Sequence, residues 1–104
     1  MDNVNNKGEI SLGSVFVAVQ DQVSTNLEDE AVILHLKNGV YYGLNPVGAR
    51  IWSFLQEPHT VGEIRNMILE EFEVEPQRCE QDLLKLLKEL LSNGLIDRHD
   101  VKAS

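Results

Sequence analysis

Alternating apolar and polar positions in the first half of the chain predict short β-strands. Residues 14–19 are rich in valine and predict a first strand, and residues 31–37 predict a second. Residues 20–30 are polar and acidic and are interpreted as the connection between them. Residues 40–44 predict a third strand. Together these segments predict a small three-stranded antiparallel sheet.

The Asn-Gly dipeptide at residues 38–39 is a strong hairpin signal between the second and third strands. A two-residue turn there would pair His35 with Tyr42 and mix polar with apolar side chains on one face. A three-residue loop at residues 37–39, with its glycine left-handed, instead pairs Leu34 with Tyr42 and gives an apolar face throughout. We therefore favour the three-residue loop. Its outer face carries Ile33, His35, Tyr41 and Gly43.

Helical periodicity and capping signals predict three helices after the sheet. Asn45 and Pro46 start the first, at residues 46–56, because asparagine caps free amides and proline suits the first helical position. Residues 60–63 form a capping box that starts the second helix. A proline at position 76 starts the third helix, and Gly94 ends it with a Schellman-type turn. The predicted fold class is α+β, a sheet followed by a three-helix bundle.

Helix three has more apolar surface than one buried face needs. Its apolar residues form two neighbouring stripes on the helix surface. The first stripe is Cys79, Leu83, Leu86 and Leu90, and the second is Leu84, Leu87 and Leu91. One interpretation is that the second stripe forms the wall of a groove. The other is that helix three is sandwiched between two neighbouring elements.

Length and charge narrow the class of protein. The 104 residues predict one domain at 14–98, with a flexible lead-in at 1–13 and a polar tail at 99–104. The formal net charge of −8 disfavours a nucleic-acid partner, because nucleic-acid affinity rests largely on Lys and Arg contacts. A single cysteine and the lack of a long apolar run lead us to expect a cytoplasmic location, with no membrane contact. Peptide or protein partners fit this composition.

The residue types that carry enzyme chemistry are not arranged for it in this sequence. The three histidines, His35, His59 and His99, show no metal-ligand spacing. Cys79 has no histidine near it in sequence and falls on the apolar face of helix three, so it is interpreted as a core residue. Trp52 is interpreted in the same way. We therefore expect a protein that is not an enzyme and uses no metal or cofactor.

The segment that joins the third strand to the first helix resembles the PqqD-like family. The resemblance rests on residues 40–52 (VYYGLNPVGARIW) and on the helix-three ending at 91–96 (LSNGLI), and it covers roughly residues 14–98. This family comprises the peptide chaperone of pyrroloquinoline quinone biosynthesis and the RiPP recognition elements, which hold the leader of a precursor peptide for a modifying enzyme. The resemblance implies a winged-helix-like fold and noncatalytic leader-peptide binding.

The resemblance also implies where a leader would bind. The leader is expected to add as a strand beside the third strand, facing helix three. On this chain the peptide-contacting edge is expected at Val40, Tyr41, Tyr42, Gly43 and Leu44, and the facing wall at Leu84, Leu87, Lys88 and Leu91. We accordingly expect a Leu87→Asp substitution to weaken peptide binding and leave the fold intact. The favoured pathway is lasso peptide maturation, with a separate cysteine-protease-type leader peptidase as the processing enzyme.

Other functions stay open at this point. The chain is also similar to the quinone-pathway chaperone, whose partner is a radical SAM enzyme. A winged-helix DNA-binding regulator would use helices two and three, although Glu75, Glu80 and Asp82 surround Arg78. A clamp for an enzyme complex, without peptide specificity, is a third reading. An open strand edge also allows two copies to exchange strands, so a homodimer is an alternative.

Overall fold

The computed structural model describes residues 9–28 and 30–99. The strands are β1 Val15–Ala18, β2 Gln22–Leu27, β3 Glu30–His35, β4 Tyr41–Leu44, β5 His59–Thr60 and β6 Ile96–Arg98. The helices are α1 Pro46–Phe54, α2 Val61–Glu71 and α3 Pro76–Ser92. Residues 1–8 of the predicted lead-in and residues 100–104 of the predicted tail lie outside the described residues. Among the helices described, none is both long and apolar enough to cross a bilayer.

Two small sheets are present. The predicted fold class is confirmed, but one strand that was predicted for the first sheet belongs to the second. The antiparallel three-stranded sheet has the order β2-β3-β4. β1, which was predicted to belong to it, instead lies between β5 and β6 in a second sheet. β1 thereby pairs with the residues just before α2 and just after α3. β1 thus anchors α2 and α3, and the β2-β3-β4 sheet is formed by residues 22–44.

β2 comes from the segment that was interpreted as a connection, so that interpretation is wrong. All six of its residues pair with β3 in unbroken antiparallel register. Its side chains bury little, because Val23 and Leu27 remain 52% and 53% exposed. The strand is therefore held by main-chain pairing with β3 and not by a buried face. The alternation of Val23, Thr25 and Leu27 with polar residues is the signal that predicts it.

The β3–β4 hairpin is closed by the hydrogen bond from the N–H of His35 to the carbonyl of Val40, which leaves a four-residue loop at positions 36–39, so both predicted registers are wrong. Ile33 pairs with Tyr42, and Ala31 pairs with Leu44. Gly39 is left-handed with φ of 72°, in agreement with the prediction. The extra loop residue moves β3 by one position relative to β4, and a shift of one residue exchanges the two faces of a strand.

The faces of β3 are consequently opposite to those predicted. Ile33 and His35 are buried, whereas Leu36 is 56% exposed. The Nδ1 atom of His35 accepts hydrogen bonds from the backbone N–H groups of Lys37 (3.2 Å) and Asn38 (3.4 Å). This side chain therefore stabilises the longer turn, which explains why a polar residue occupies an inward position. On β4, the prediction that Tyr41 and Gly43 lie on the outer face is confirmed by the paired positions.

Local capping signals set the helix ends, as predicted. The Asn45 side chain accepts a hydrogen bond from the backbone N–H of Gly48 at 2.8 Å, and Pro46 is the first residue of α1. Thr60 and Glu63 form the reciprocal capping box of α2. At the end of α3 the N–H of Leu95 bonds to the carbonyl of Leu90, which with the bond from Gly94 to Leu91 is a Schellman motif.

The core lies between the three helices and the inner faces of the two sheets. α1 packs against β3, and α2 packs against α3. Trp52 and Cys79 are 3% and 5% exposed, so both core assignments are confirmed. Other fully buried side chains are Phe16, Ile33, Leu55, Ile64, Leu83, Leu87, Leu90, Leu95 and Ile96.

The last residues of the predicted flexible lead-in are bound to α2. The carbonyls of Leu12 and Ser14 accept hydrogen bonds of 3.0 Å from the backbone N–H groups of Gly62 and Val61, respectively. Ile10 packs against the core. These contacts satisfy free N–H groups in the first turn of α2. Residues 10–14 are therefore attached to the fold by these contacts, and the flexibility of the lead-in stays a prediction.

One polar contact joins β4 to α3. The hydroxyl of Tyr42 donates a hydrogen bond to the carboxylate of Glu89. Burial, followed by this hydrogen bond, raises the pKa of Tyr42 from 10.0 to about 12. The contact fixes the end of β4 relative to α3 across the space between them.

Leu87→Asp is now expected to unfold the protein, because Leu87 is fully buried. A carboxylate without a partner at that position should lower the free energy of unfolding by about 4 kcal/mol or more, much of the stability of a small domain. Lys88→Asp, at the neighbouring exposed position, is the matched control and should change it by less than about 0.5 kcal/mol. Urea unfolding followed by circular dichroism measures both. A folded Leu87→Asp variant of normal stability would contradict the burial of this residue.

The Tyr42–Glu89 contact predicts a loss of stability at alkaline pH. Because the pKa of Tyr42 is higher in the folded state, its contribution is complete below pH 10 and is lost as the pH rises through about 12. In a Tyr41→Phe background Tyr42 is the only tyrosine, so phenolate absorbance reports on it alone. Glu89→Gln should lower the pKa of Tyr42 but leave it above 10, since burial is the larger cause. An unchanged pKa in Glu89→Gln would show that the carboxylate does not act on Tyr42.

Candidate functional site

β4 presents an unpaired strand edge. In the described part of the chain it pairs only with β3, so its other side has no strand partner. The N–H of His35 donates a hydrogen bond to the carbonyl of Val40. This bond establishes which residues of β4 direct their backbone groups toward β3 and which direct them away. In an antiparallel pair, every second residue turns its N–H and C=O groups away from the partner strand. Those residues on β4 are Tyr41 and Gly43, and they direct four backbone groups to the free edge.

A groove of about 420 Å³ lies directly beside this edge, between β4 and α3. β4 and the start of α1 form one side, and α3 forms the other. Residues of α1, α2 and the α2–α3 connection complete the lining. The lining residues are Tyr42, Gly43, Leu44, Asn45, Val47, Gly48, Ile51, Ile68, Val74, Asp82, Leu83, Lys85, Leu86 and Glu89.

The interior of the groove is apolar, and α3 gives it a charged rim. Ile51, Ile68 and Leu83 belong to the buried core and form its floor. Asp82, Lys85 and Glu89 are exposed residues on the α3 side. Leu86 lies among them and is half-buried. A chain laid in this groove would therefore meet apolar surface below and both signs of charge along one side.

Gly48 allows α1 to approach β4 closely enough to form this side of the groove. A Cβ atom at this position would lie 3.1 Å from Cδ2 of Leu44 and 3.3 Å from Oδ1 of Asn45. The Asn45 oxygen is the same atom that caps the helix. A side chain at position 48 would therefore disturb both the strand end and the helix cap, which is why glycine fits here.

The expected strand residues lie at or beside the groove. Tyr42, Gly43 and Leu44 line it. Tyr41 is 70% exposed on the outer face of the sheet, so only its backbone is directed to the edge. Val40 precedes the strand and its carbonyl is already bonded to His35. The structure thus brings three of the five expected edge residues into the groove lining.

The expected helix wall lies elsewhere. Leu87 is in the core, and Lys88 is exposed without lining the groove. Leu84 lines a separate cavity of about 150 Å³, together with Ile10 and Leu12. Leu91 is half-buried against the core and lines neither cavity. The prediction that the second stripe of α3 faces β4 is therefore corrected.

Rotation about the helix axis gives the reason for this correction. The buried face of α3, at Cys79, Leu83, Leu87 and Leu90, takes residues from both predicted stripes. At about 100° per residue, Leu86 lies on one flank of that face and Leu84 on the other. The first flank lines the groove beside β4, and the second lines a smaller cavity together with residues 10–12. The helix borders a groove and is also packed between neighbouring elements, so each interpretation holds in part. The groove, however, is on the flank of Leu86 and not on that of Leu84.

The groove residues that the sequence analysis missed are mostly on α3 and α1. Asp82, Lys85 and Glu89 recur at intervals of three and four on the flank that carries Leu86. This pattern of a leucine within a polar flank is a usable signal for a half-exposed helix face. Val47 and Ile51 of α1 also line the groove.

The outer edge of β2 is also unpaired in the described residues, but no groove lies beside it that resembles the one at β4. Its neighbouring cavity is lined largely by polar or charged residues, including Asn26, Glu28 and Arg50. Gln22, Ser24 and Asn26 alternate along the strand on the side away from the outer apolar residues. The two edges therefore offer the same main-chain groups but very different side-chain surroundings.

The described residues show no cluster that could bind a metal ion and no reactive thiol at the groove. Within residues 9–28 and 30–99, no group of three or more His, Cys, Asp or Glu side chains is placed to hold a metal ion. Burial raises the pKa of the Cys79 thiol, which keeps it protonated. The arrangement at β4 is suited to holding an extended chain through backbone hydrogen bonds and apolar contacts.

Two solved structures resemble the chain over most of its length. One is TbiB1 in complex with the TbiA(beta) leader peptide, with a TM-score of 0.73, 36% sequence identity, and coverage of 82% of this chain and 99% of that one. The other is lasso peptide synthetase B1 complexed with the leader peptide, with a TM-score of 0.68, 26% identity, and coverage of 79% and 96%. No curated protein matches the chain.

The sequence itself matches a family description over its central part. Residues 30–96 match Coenzyme PQQ synthesis protein D (PqqD). This range runs from the start of β3 to the start of β6 and contains β4, all three helices and the whole groove lining. The chain belongs to the PqqD family.

Proposed function

We propose that this protein binds the leader region of a ribosomally made precursor peptide and presents it to a separate processing enzyme, without catalysing a reaction itself. The leader adds as a strand to the free edge of β4. The observation that carries this proposal is the unpaired edge lying directly beside an apolar groove. The two structural neighbours, a B1 protein of lasso peptide synthesis and TbiB1, are both complexes with a leader peptide.

Backbone pairing supplies affinity that does not depend on the leader sequence. The outward N–H and C=O groups of Tyr41 and Gly43 can make four hydrogen bonds with an added strand. At roughly 1 kcal/mol net each, these give about 4 kcal/mol. Association itself costs several kcal/mol in lost translational and rotational freedom. Main-chain pairing alone therefore gives negligible binding.

The side chains that line the groove determine which peptide binds. Alternate side chains of the added strand point toward α3, where Leu86 and the apolar floor lie. Each well-buried apolar side chain contributes about 1.5 to 3 kcal/mol. Two such side chains on the leader, two residues apart, make the free energy of binding clearly favourable. The leader is therefore expected to carry apolar residues in an i, i+2 pattern.

We expect the leader to bind at β4 and not at β2. Both edges offer unpaired backbone groups, but only β4 lies beside apolar floor residues such as Ile51 and Leu83. Strand exchange between two copies through β4 would occupy the edge that the leader needs. Homodimerisation by that route and leader binding therefore exclude each other.

The pathway we favour is lasso peptide maturation. Both solved neighbours are complexes with a leader peptide, and one of them is a lasso peptide synthetase B1 protein. The processing enzyme would then be a cysteine-protease-type leader peptidase. The alternative is the quinone pathway with a radical SAM enzyme, in line with the family description. Binding assays with leaders from both precursor classes separate the two.

A DNA-binding role is disfavoured by the charges on the helices that would carry it. Arg78, near the start of α3, has Asp82 at 3.8 Å. Glu80 accepts a hydrogen bond of 2.8 Å from Arg65 of α2. Two of the basic groups near the start of α3 are thus paired within the protein, and the chain carries a net charge of −8. Phosphate groups would be repelled from this surface.

Gly43→Pro is expected to weaken leader binding without unfolding the protein. Proline removes an N–H that is directed to the free edge and not to β3, and its ring blocks the approach of a strand. Gly43→Ala is the matched control, because it keeps the N–H and a Cβ there meets no heavy atom within 4 Å. We expect Gly43→Pro to weaken binding at least about tenfold and Gly43→Ala to change it little.

The measurement is a titration with synthetic leader peptide, followed by the backbone amide signals of residues 41–44 in two-dimensional NMR. These signals should shift on addition of leader to the wild-type protein. Equal binding by the alanine and proline variants would contradict strand addition at this edge. Wild-type amides that do not respond to any leader would contradict the proposed function.

Leu86→Asn is expected to weaken leader binding about tenfold, because it removes apolar surface from the α3 side of the groove. Leu91→Asn is the matched control. Both leucines are half-buried on the same helix and pack against the core, but only Leu86 lines the groove. Isothermal titration calorimetry gives the affinities, and thermal melts confirm that both variants fold. A larger loss of affinity in Leu91→Asn would place the leader on the opposite flank of α3.

A further inference from the structure

The two inward positions of a strand added to β4 have different surroundings. Tyr41 and Gly43 direct their backbone groups to the free edge, so an antiparallel added strand pairs with β4 through them. The side chains of that strand that point toward α3 then lie opposite Tyr42 and Leu44, two residues apart. Facing side chains come close in such pairs, with their Cβ atoms about 5 Å apart. We call these places the Tyr42 position and the Leu44 position of the bound peptide.

The Leu44 position lies beside α1 and is apolar. A Cβ atom on Gly48 would lie 3.1 Å from Cδ2 of Leu44, so this end of the strand is in close contact with the helix. Val47 and Ile51 of α1 line the groove as well. Among the described residues, none of the α1 side chains in the groove lining is charged. An apolar side chain of the peptide therefore fits the Leu44 position.

The Tyr42 position lies next to a carboxylate. The hydroxyl of Tyr42 donates a hydrogen bond to Glu89, which brings this exposed carboxylate of α3 to the same end of the groove. Because the pKa of Tyr42 is raised to about 12, the hydroxyl keeps its proton at neutral pH and continues to donate. A carboxylate can accept about four hydrogen bonds. Glu89 therefore has capacity for a further donor on a bound peptide.

Glu89 also has no cation to neutralise it in the described part of the chain. Within residues 9–28 and 30–99 it forms no ion pair, whereas the other acid of the groove, Asp82, lies 3.8 Å from Arg78. Lys85 lies one helical turn before Glu89 on α3. A group at the Tyr42 position is closer to Glu89 than to Lys85, because Tyr42 itself contacts Glu89. The local charge there is negative.

We propose that Glu89 selects a basic residue, Lys or Arg, at the Tyr42 position of the leader, while the Leu44 position takes an apolar residue. This inference rests on the proposed function. A lysine that runs beside Tyr42 is similar to it in length, so its ammonium group lies level with the tyrosine hydroxyl and reaches the same carboxylate. Its methylene groups pack along the ring of Tyr42 and along Leu86. The i, i+2 pattern of apolar contacts is therefore kept.

Charge distinguishes a basic residue from the neutral donors that could occupy the same place. A hydrogen bond between two charged groups is stronger than one from a neutral hydroxyl or amide. The net charge of −8 also attracts a basic peptide and repels an acidic one. An acidic residue at the Tyr42 position would meet Glu89 directly. The preferred order at this position is therefore basic, then neutral, then acidic.

The test is selection of short random peptides from a display library on the immobilised full chain. Glu89→Gln removes the charge and keeps the size of the side chain and an acceptor for Tyr42. Glu70→Gln is the matched control, because it removes the same charge from an exposed position on α2 that does not line the groove. Selected peptides are synthesised, and those that shift the backbone amide signals of residues 41–44 are counted as edge binders.

We expect the wild type and Glu70→Gln to enrich edge binders that carry Lys or Arg two residues from a large apolar residue. Glu89→Gln should lose this enrichment. A selected peptide with lysine at this place should bind the wild type about fivefold more tightly than the same peptide with norleucine, the upper range for an exposed ion pair. In Glu89→Gln the two peptides should bind equally. Isothermal titration calorimetry gives these affinities, and thermal melts confirm that both variants fold.

Selection by Glu89 would be overturned by equal enrichment of Lys and Arg in the wild type and Glu89→Gln. It would also be overturned by an equal loss in Glu70→Gln, which would assign the preference to net charge. Enrichment of a neutral donor or a second apolar residue at this place by the wild type would contradict it as well. A wild type that enriches no edge binder would instead overturn the proposed function, so the two failures are distinguishable.

Discussion

The site depends on β4 being paired on one side only. The ladder with β3 gives the strand its shape and position, and it leaves the backbone groups of Tyr41 and Gly43 without a strand partner in the described residues. Such an edge is normally a hazard for a small protein, because it can pair with any extended chain. Here it is placed beside a groove whose side chains restrict what can lie along it. The proposed leader site uses this edge, and the groove supplies its selectivity.

Several contacts fix the positions of α1 and α3 relative to β4, and the groove lies between these elements. Gly48 permits the close approach of α1 to the strand end, and the Asn45 cap fixes where the helix starts. On the far side, the Tyr42–Glu89 contact joins the strand to α3. β1 pairs with the strands that flank α2 and α3, and so holds the ends of those helices together. The space between strand and helix is therefore defined by rigid elements.

The two faces of the sheet have different surroundings. The inner face is filled by α1 and contributes Tyr42 and Leu44 to the groove. The outer face is apolar, exposed and bordered by acids such as Glu30. A one-residue change of register in β3 would exchange these faces, and His35 resists that change by accepting hydrogen bonds from the turn. One turn thus determines which face of the sheet is buried and which is exposed.

The sequence by itself determined the features that depend on neighbouring residues. Asn45, Thr60 and Gly94 set helix ends through hydrogen bonds within a few positions, so their roles were readable from spacing. The resemblance carried by the strand-to-helix segment also gave the family correctly. The strand β2 is a partial exception, because its short alternation was interpreted as part of a polar connection although the segment pairs with β3.

Only the tertiary structure decided the features that depend on distant residues. The face of β3 that is buried, the partner strands of β1 and the flank of α3 that meets β4 all follow from packing between elements far apart in sequence. Both flanks of α3 carry leucines, so the pattern along the helix is the same whichever flank is open. Leu86 lines the groove beside β4, whereas Leu84 lines a smaller cavity together with residues 10–12, an arrangement that no local spacing encodes.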